Sequence, residues 1–95
     1  MQVTVRAILR LAMAIGKYEF TIRLPEEATL DVLLHCIEEE YGPQTRQHLR
    51  DVTATKQHPG LLFYRNHALL TGEDVLQTRL HEGDIIYIAS PAGGG

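Results

Sequence analysis

The chain has 95 residues, of which 44% are hydrophobic and 22% are charged, and its formal net charge is −3 with the histidines neutral. This length predicts one domain with one small core, and the absence of a basic run argues against nucleic acid as a partner. The apolar residues are too evenly spread for a membrane span, no secretory signal is expected at the start, and a single cysteine excludes an internal disulfide and fits a reducing cytoplasm.

Two segments of alternating polarity begin the chain. Apolar residues occupy every second position from Val3 to Leu11, which predicts a half-buried strand. In the second segment the predicted inward positions are Tyr18, Phe20, Ile22 and Leu24. We expect the two strands to form an antiparallel hairpin. Residues 11–15 are either the end of the first strand or a short helical turn that Gly16 closes.

One amphipathic helix follows the hairpin. Thr29 suits the N-cap position, and the helical pattern continues to about Tyr41. Glycine followed by proline at positions 42 and 43 is a typical helix stop. The apolar stripe that should face the core consists of Leu30, Leu33, Leu34, Ile37 and Tyr41.

The second half begins with a polar stretch, residues 44–60, which we expect to be the least ordered part, with a short helix over 43–50 as one reading. Residues 61–65 predict a strand, Asn66 and His67 a tight turn, and residues 68–70 a short strand. A single helical turn near Leu76 and Leu80 should precede the closing strand. In that strand we expect Ile86 and Ile88 to face inward, and Ile85 and Tyr87 outward.

The chain ends in Ser90-Pro91-Ala92-Gly93-Gly94-Gly95. Pro91 should stop the strand ladder, and the glycines make a thin segment with wide backbone freedom. Composition alone favours a frayed terminus over a functional tail. The predicted organisation is a two-layer α+β domain over residues 1–90, with a glycine tail over 91–95.

The order of these elements, together with two motifs, resembles the β-grasp, ubiquitin-like sulfur-carrier proteins of the MoaD and ThiS type, in particular the small subunit of molybdopterin synthase. The motifs are the Leu-Pro-Glu-x-Ala-Thr entry to the helix at 24–29 and the ending Gly83-Asp84, apolar strand, Pro91-x-x-Gly94-Gly95. This resemblance implies a mixed sheet of about four to five strands packed on one main helix. His67 departs from the glycine common at that turn, so we expect the turn to differ in type.

The resemblance also implies chemistry at the tail. A ubiquitin-activating-like adenylyltransferase of the MoaB/MoeB or ThiF type would use ATP to adenylate Gly95, and a persulfide would convert it to a thiocarboxylate. Gly93, Gly94 and Gly95 would lie in the channels of two different partners, Pro91 would contribute to partner binding, and the chain would bind no cofactor stably. The sulfur would pass to a molybdopterin synthase large subunit or another sulfur-accepting enzyme. Ile85 and Tyr87 are candidates for the docking surface, and an ordinary role as half-buried sheet residues is equally compatible with the sequence.

Other candidate sites carry less chemistry. Cys36 lies beside the helix stripe and is better read as a buried small residue than as a reactive thiol. The five histidines lack metal-ligand spacing. Two carboxylate pairs, Asp31 with Glu27 and Glu82 with Asp84, sit at turns or a helix start, where acidic residues serve as caps. We therefore expect a carrier and not an enzyme. The alternatives are a ubiquitin-like modifier joined through Gly95 to lysines, a sulfur carrier for tRNA thiolation or thiamine synthesis, and an interaction domain with an inert tail.

Overall fold

A computed structural model describes residues 1–7, 10–45, 62–71 and 74–89. The regular elements in these ranges alternate strand and helix in the first half and are mostly strand in the second. They are β1 (Gln2–Ala7), α1 (Arg10–Ile15), β2 (Glu19–Arg23), α2 (Leu30–Tyr41), a 3₁₀ helix (Pro43–Thr45), β3 (Leu62–Arg65), β4 (Ala68–Leu69), a second 3₁₀ helix (Val75–Gln77) and β5 (Ile85–Ala89).

The strands form one mixed sheet in the order β2-β1-β5-β3-β4. β1 pairs with β5 in parallel, while the β1–β2, β3–β5 and β3–β4 pairs are antiparallel. The first and last strands of the chain are thus neighbours at the centre of the sheet. This arrangement confirms the predicted mixed sheet packed on one main helix.

Helix α2 supplies one side of the core. Thr29 caps it as predicted, its Oγ1 accepting from the Val32 N–H at 3.4 Å. Gly42 ends it with φ 101°, a conformation that residues with a Cβ rarely adopt. The completely buried residues of the stripe are Leu30, Leu33, Leu34 and Ile37. Each such burial contributes roughly 1.5–3 kcal/mol, so the stripe is a main source of stability.

The alternation predicted for β1 and β2 holds inside the strands and fails just before β2. Val3, Val5 and Ala7 are buried, and so are Phe20 and Ile22. The prediction that Tyr18 faces inward is wrong, because its side chain is 75% exposed. Tyr18 precedes the first residue of β2, so the period of two does not apply to it.

The segment between these strands is helical, which decides between the two readings of residues 11–15. α1 buries the adjacent residues Leu11 and Ala12, a pattern that a strand with one buried face does not give. Gly16 follows the helix and donates its N–H to the Ala12 carbonyl at 2.7 Å. The predicted hairpin is therefore an antiparallel pair joined by a longer connection that contains a helix.

The β3–β4 turn keeps the geometry of an Asn-Gly hairpin despite the histidine. Asn66 has φ 48° and His67 has φ 77°, and positive φ at both central residues is the type I′ pattern. The predicted change of turn type is thus not observed. The helical turn predicted before the last strand is present as the second 3₁₀ helix, and Leu80 behind it is buried.

Two predictions on the middle of the chain extend beyond the described residues. The short helix expected over 43–50 corresponds to the 3₁₀ helix Pro43–Thr45, and the rest of that range lies outside the described part, as does most of the 44–60 stretch. Within the described ranges, no helix combines the length and hydrophobicity that crossing a membrane requires.

Candidate partner-binding site

The turn before β5 fixes where that strand begins. The carboxylate of Asp84 is buried and accepts from the Asn66 Nδ2 at 3.0 Å and from the His81 backbone N–H at 2.8 Å. The Asn66 Oδ1 in turn accepts from the Ile85 N–H at 2.9 Å. These bonds join the β3–β4 turn to the start of β5, so the strand that leads to the tail is held at its beginning by side chains as well as by the sheet.

β5 presents two faces, as predicted. Ile86 and Ile88 are buried against the core, whereas Ile85 and Tyr87 lie half-buried on the opposite, outer face of the sheet. Their partial burial fits a docking surface and an ordinary sheet position equally, and their neighbours therefore carry the argument.

Tyr87 lies at the centre of a polar and aromatic cluster that the strand register creates. Arg6 is its neighbour on β1, and Glu19 is the neighbour of Arg6 on β2. The Arg6 Nη1 donates to the Tyr87 hydroxyl at 2.6 Å, and the guanidinium carbon lies 5.3 Å from the ring centroid. On the other side, the His67 ring centroid is 5.8 Å from that of Tyr87. We call Arg6, Glu19, His67 and Tyr87 the outer-face cluster.

The charge in this cluster is fixed by a short ion pair. The Arg6 Nε lies 2.6 Å from Glu19 Oε1, and both side chains are about half exposed. The hydrogen bond that Arg6 donates to Glu19, followed by the electrostatic effect of Tyr87, raises the pKa of Arg6 above its ordinary value. The guanidinium is therefore charged at any physiological pH, and the cluster offers a partner one aromatic ring with a fixed cation over it.

Sequence reasoning identified Tyr87 but missed its neighbours. Arg6 and Glu19 appear in the sequence only as polar residues of alternating strands, 13 positions apart. Bringing Arg6 beside Tyr87, 81 positions away, requires the parallel pairing of β1 with β5, which no local pattern specifies. The useful signal would have been the polar face of β1 combined with the assumption that the two end strands are adjacent.

The tail residues predicted to carry the chemistry, Gly93, Gly94, Gly95 and Pro91, lie outside the described residues. The strand that precedes them, β5, ends at Ala89. Ala89 pairs with Leu62 on β3, one position beyond the pair Phe63 and Ile88. The tail consequently begins at the end of the central strand, on the edge of the domain where β1 also ends.

Cys36 has the surroundings of an unreactive thiol. It is half-buried on α2, and burial, followed by the charges of Glu39 and Glu40, raises the pKa of its thiol. A raised pKa leaves less thiolate at neutral pH, and the thiolate is the nucleophile.

The carboxylates singled out in the sequence have structural partners. Asp31 lies in the first turn of α2 with His35 at 3.7 Å, and Glu27 pairs with Arg79 at 3.4 Å. Glu82 accepts from the Gln2 N–H at 3.0 Å. Among the described residues, no three His, Cys, Asp or Glu side chains are gathered so that they could hold a metal ion.

Comparison with known proteins identifies the fold. Neither a protein-family model nor a curated protein matches the chain. Among solved structures, SAMP1 from Haloferax volcanii superposes with a TM-score of 0.74 at 17% identity, over 100% of both chains. A putative molybdopterin converting factor subunit 1 from Pyrococcus furiosus gives 0.73 at 20% identity, over 97% of this chain and 99% of that one. A complex of subunits 1 and 2 of the molybdopterin-converting factor from Helicobacter pylori gives 0.56 at 23% identity, over 100% of both chains.

The chain therefore has the ubiquitin-like β-grasp fold. The similar structures include a small archaeal modifier protein and a putative molybdopterin converting factor subunit 1, and each of these alignments covers at least 96% of this chain.

Proposed function

We propose that this chain is a sulfur carrier whose terminal carboxylate, on Gly95, is converted to a thiocarboxylate, and that it serves as the small subunit of molybdopterin synthase. The observation that carries the proposal is the position of β5. This strand is central in a β-grasp sheet, presents the outer-face cluster, and leads within two residues of Ala89 into Pro91-x-x-Gly94-Gly95.

The chemistry needs no catalytic group on this chain. A Gly95 carboxylate oxygen would attack the α-phosphate of ATP with loss of pyrophosphate, giving an acyl-adenylate. A persulfide sulfur of a donor protein would then attack the acyl carbon and displace AMP. A thiol of the donor would cleave the resulting acyl disulfide, releasing the thiocarboxylate and leaving a disulfide on the donor. All three steps belong to partner enzymes in the cytoplasm, and this chain binds no cofactor stably.

Glycines at the end of the chain suit the role of a sulfur carrier. Glycine has no side chain, so a segment of three can enter a channel shaped around backbone alone. Ordering each tail residue costs about 1–2 kcal/mol, so the domain surface must supply most of the affinity. Tyr87 and Ile85 provide aromatic and aliphatic area beside the tail, and charged Arg6 adds specificity.

A ubiquitin-like modifier is the second candidate. It is favoured by the likeness to SAMP1, a small archaeal modifier protein, over the full length of both chains. In this case a lysine amine of another protein would displace AMP, forming an isopeptide bond at Gly95.

Intact mass spectrometry of the protein from its own cells tests the proposal. A mass increase equal to sulfur replacing oxygen, localised to Gly95, is the expected result, and a mild alkylating reagent should add its alkyl group at the same position. Heavier species in which Gly95 is joined to lysine, without any thiocarboxylate, would establish the modifier instead. Unmodified Gly95 in cells that make the molybdenum cofactor would contradict both.

A further inference from the structure

Exposed apolar side chains are concentrated in the connection between β1 and β2. Three large hydrophobic residues of the described part are exposed, namely Met13 at 80%, Tyr18 at 75% and Leu69 at 44%. The two most exposed lie in residues 10–18, which we call the β1–β2 connection, and Leu69 lies on the edge strand β4. Single exposed apolar residues are common, but two in one short connection of a small domain are typical of a surface that binds a partner.

The topology does not require a β1–β2 connection of this length. Antiparallel neighbours such as β1 and β2 can be joined by a two-residue turn, and here a helix is inserted. That helix packs on the core, because Leu11 and Ala12 are buried, and its end is closed by the Gly16 and Lys17 N–H groups, which both donate to the Ala12 carbonyl. Met13, the next residue along, is thereby presented to solvent from an ordered element.

The β1–β2 connection lies at the end of the sheet where β5 also ends. The Ala7 N–H donates to the Tyr18 carbonyl at 2.8 Å, and Ala7 is the register partner of Ile88 on β5. Adjacent strands are about 4.8 Å apart, so the Tyr18 backbone is about 10 Å from that of Ile88. β5 ends one residue after Ile88, at Ala89.

The length of the tail brings its enzymes to this end. Six residues follow Ala89 up to Gly95, and a chain of six residues spans at most about 20 Å. The reacting atoms of an enzyme that acts on Gly95 must lie within that distance of Ala89. The surface around that enzyme's channel therefore faces the end of the sheet where the β1–β2 connection lies.

We propose that Met13 and Tyr18 form a docking knob that binds the ATP-dependent enzyme that adenylates Gly95. This inference rests on the proposed function, and it selects the adenylating enzyme because a carboxylate must be activated before either a sulfur or an amine can displace a leaving group from it. The knob fits an apolar recess beside the channel mouth. An aromatic ring gives large contact area with few rotatable bonds, and a methionine adapts to an irregular surface.

The test uses ATP–pyrophosphate exchange by the adenylating enzyme purified from the source cells through its activity on the unaltered chain. The double variant Met13→Ser/Tyr18→Ser should raise the KM for the chain about tenfold or more, with kcat unchanged, because docking and not chemistry is impaired. Leu69→Ser is the matched control, about 19 Å from β2 across four strand spacings, and should leave KM within about twofold. Thermal unfolding of each variant shows that the fold is retained.

The outcomes separate this inference from the proposed function. An unchanged KM for the double variant, with the unaltered chain activated, overturns the docking knob and leaves the carrier proposal intact. An equal rise in KM for Leu69→Ser, or impaired binding of the sulfur-accepting subunit alone, also overturns it. Absence of any ATP-dependent activation of the unaltered chain overturns both.

Discussion

The side chains of Asn66 and Asp84 are hydrogen bonded at 3.0 Å, which joins the tight turn of the β3–β4 hairpin to the turn that starts β5. Asp84 is 6% exposed and has a second donor, the His81 N–H at 2.8 Å. Replacing Asp84 by alanine would leave two partly buried donors, the Asn66 Nδ2 and the His81 N–H, without this acceptor.

We expect Asp84→Ala to lower the free energy of unfolding by about 1–3 kcal/mol. For a domain of this size each kcal/mol corresponds to a shift of about 4–8 °C in Tm, which thermal unfolding monitored by circular dichroism would detect. Asp74→Ala is the control, because the Asp74 side chain is exposed and makes no capping hydrogen bond to its 3₁₀ helix. Equal Tm values for the two variants would show that the Asn66–Asp84 contact contributes nothing.

His67 occupies a position that glycine would fill with less strain. A residue with a Cβ in the left-handed region costs about 1–2 kcal/mol, and His67 has φ 77°. Its ring contact with Tyr87, partly exposed, recovers only a fraction of that cost. We therefore expect His67→Gly to raise the free energy of unfolding by about 0.5–1 kcal/mol, measured by urea denaturation. A loss of stability would mean that the ring contact outweighs the backbone strain.

Tyr87 should contribute strongly to partner binding if the outer-face cluster docks first. Tyr87→Ala is expected to weaken binding to the adenylating enzyme about tenfold or more, which titration calorimetry would measure. Tyr87→Phe keeps the ring and loses only the bond from Arg6, an exposed contact, so its effect should stay within about threefold. Wild-type affinity for Tyr87→Ala would show that the outer-face cluster does not contribute to binding this enzyme.

The raised pKa of Cys36 gives a way to read the tail by alkylation. Because the protonated thiol is favoured, the thiolate fraction at a given pH is smaller than for an ordinary cysteine and falls tenfold for each pH unit below the pKa. Thiocarboxylic acids ionise at much lower pH than thiols. Iodoacetamide at mildly acidic pH should thus modify a thiocarboxylate at Gly95 and spare Cys36.

The causes of the Cys36 shift can be separated by mutation. Glu39→Gln with Glu40→Gln removes the two smaller causes, so the pKa should fall and alkylation of Cys36 at pH 8 should accelerate in the native protein. Burial, the largest cause, remains, and the rate should stay below that of the unfolded chain. Glu27→Gln, on the loop before α2, is the control and should leave the rate unchanged. An unaltered rate in the double variant would show that burial alone sets the thiol pKa.

How far the sequence determines the structure differs between local and long-range features. Helix α2 was predictable from Thr29 to Gly42, because cap, apolar stripe and glycine stop agree locally. The inward and outward residues of β5 followed from alternation alone, as Ile86 and Tyr87 show.

Features that depend on pairing between distant segments were not predictable in this way. Tyr18 was placed inward because the alternation of β2 was extended one residue beyond the strand. Arg6 could be placed beside Tyr87 only through the parallel pairing of strands from opposite ends of the chain. The outward orientation of Ile85 and Tyr87 was therefore predictable, whereas the presence of Arg6 and Glu19 in the outer-face cluster was not.

The central place of β5 has a mechanical consequence. A pull on residues 90–95, such as an enzyme would exert if it drew them into a channel as proposed, acts along a strand that is hydrogen bonded on both sides, to β1 and to β3. Force along such a strand loads both ladders in shear, so many hydrogen bonds resist together, whereas an edge strand pulled sideways would peel off bond by bond. The domain can thus bear traction on its tail without unravelling.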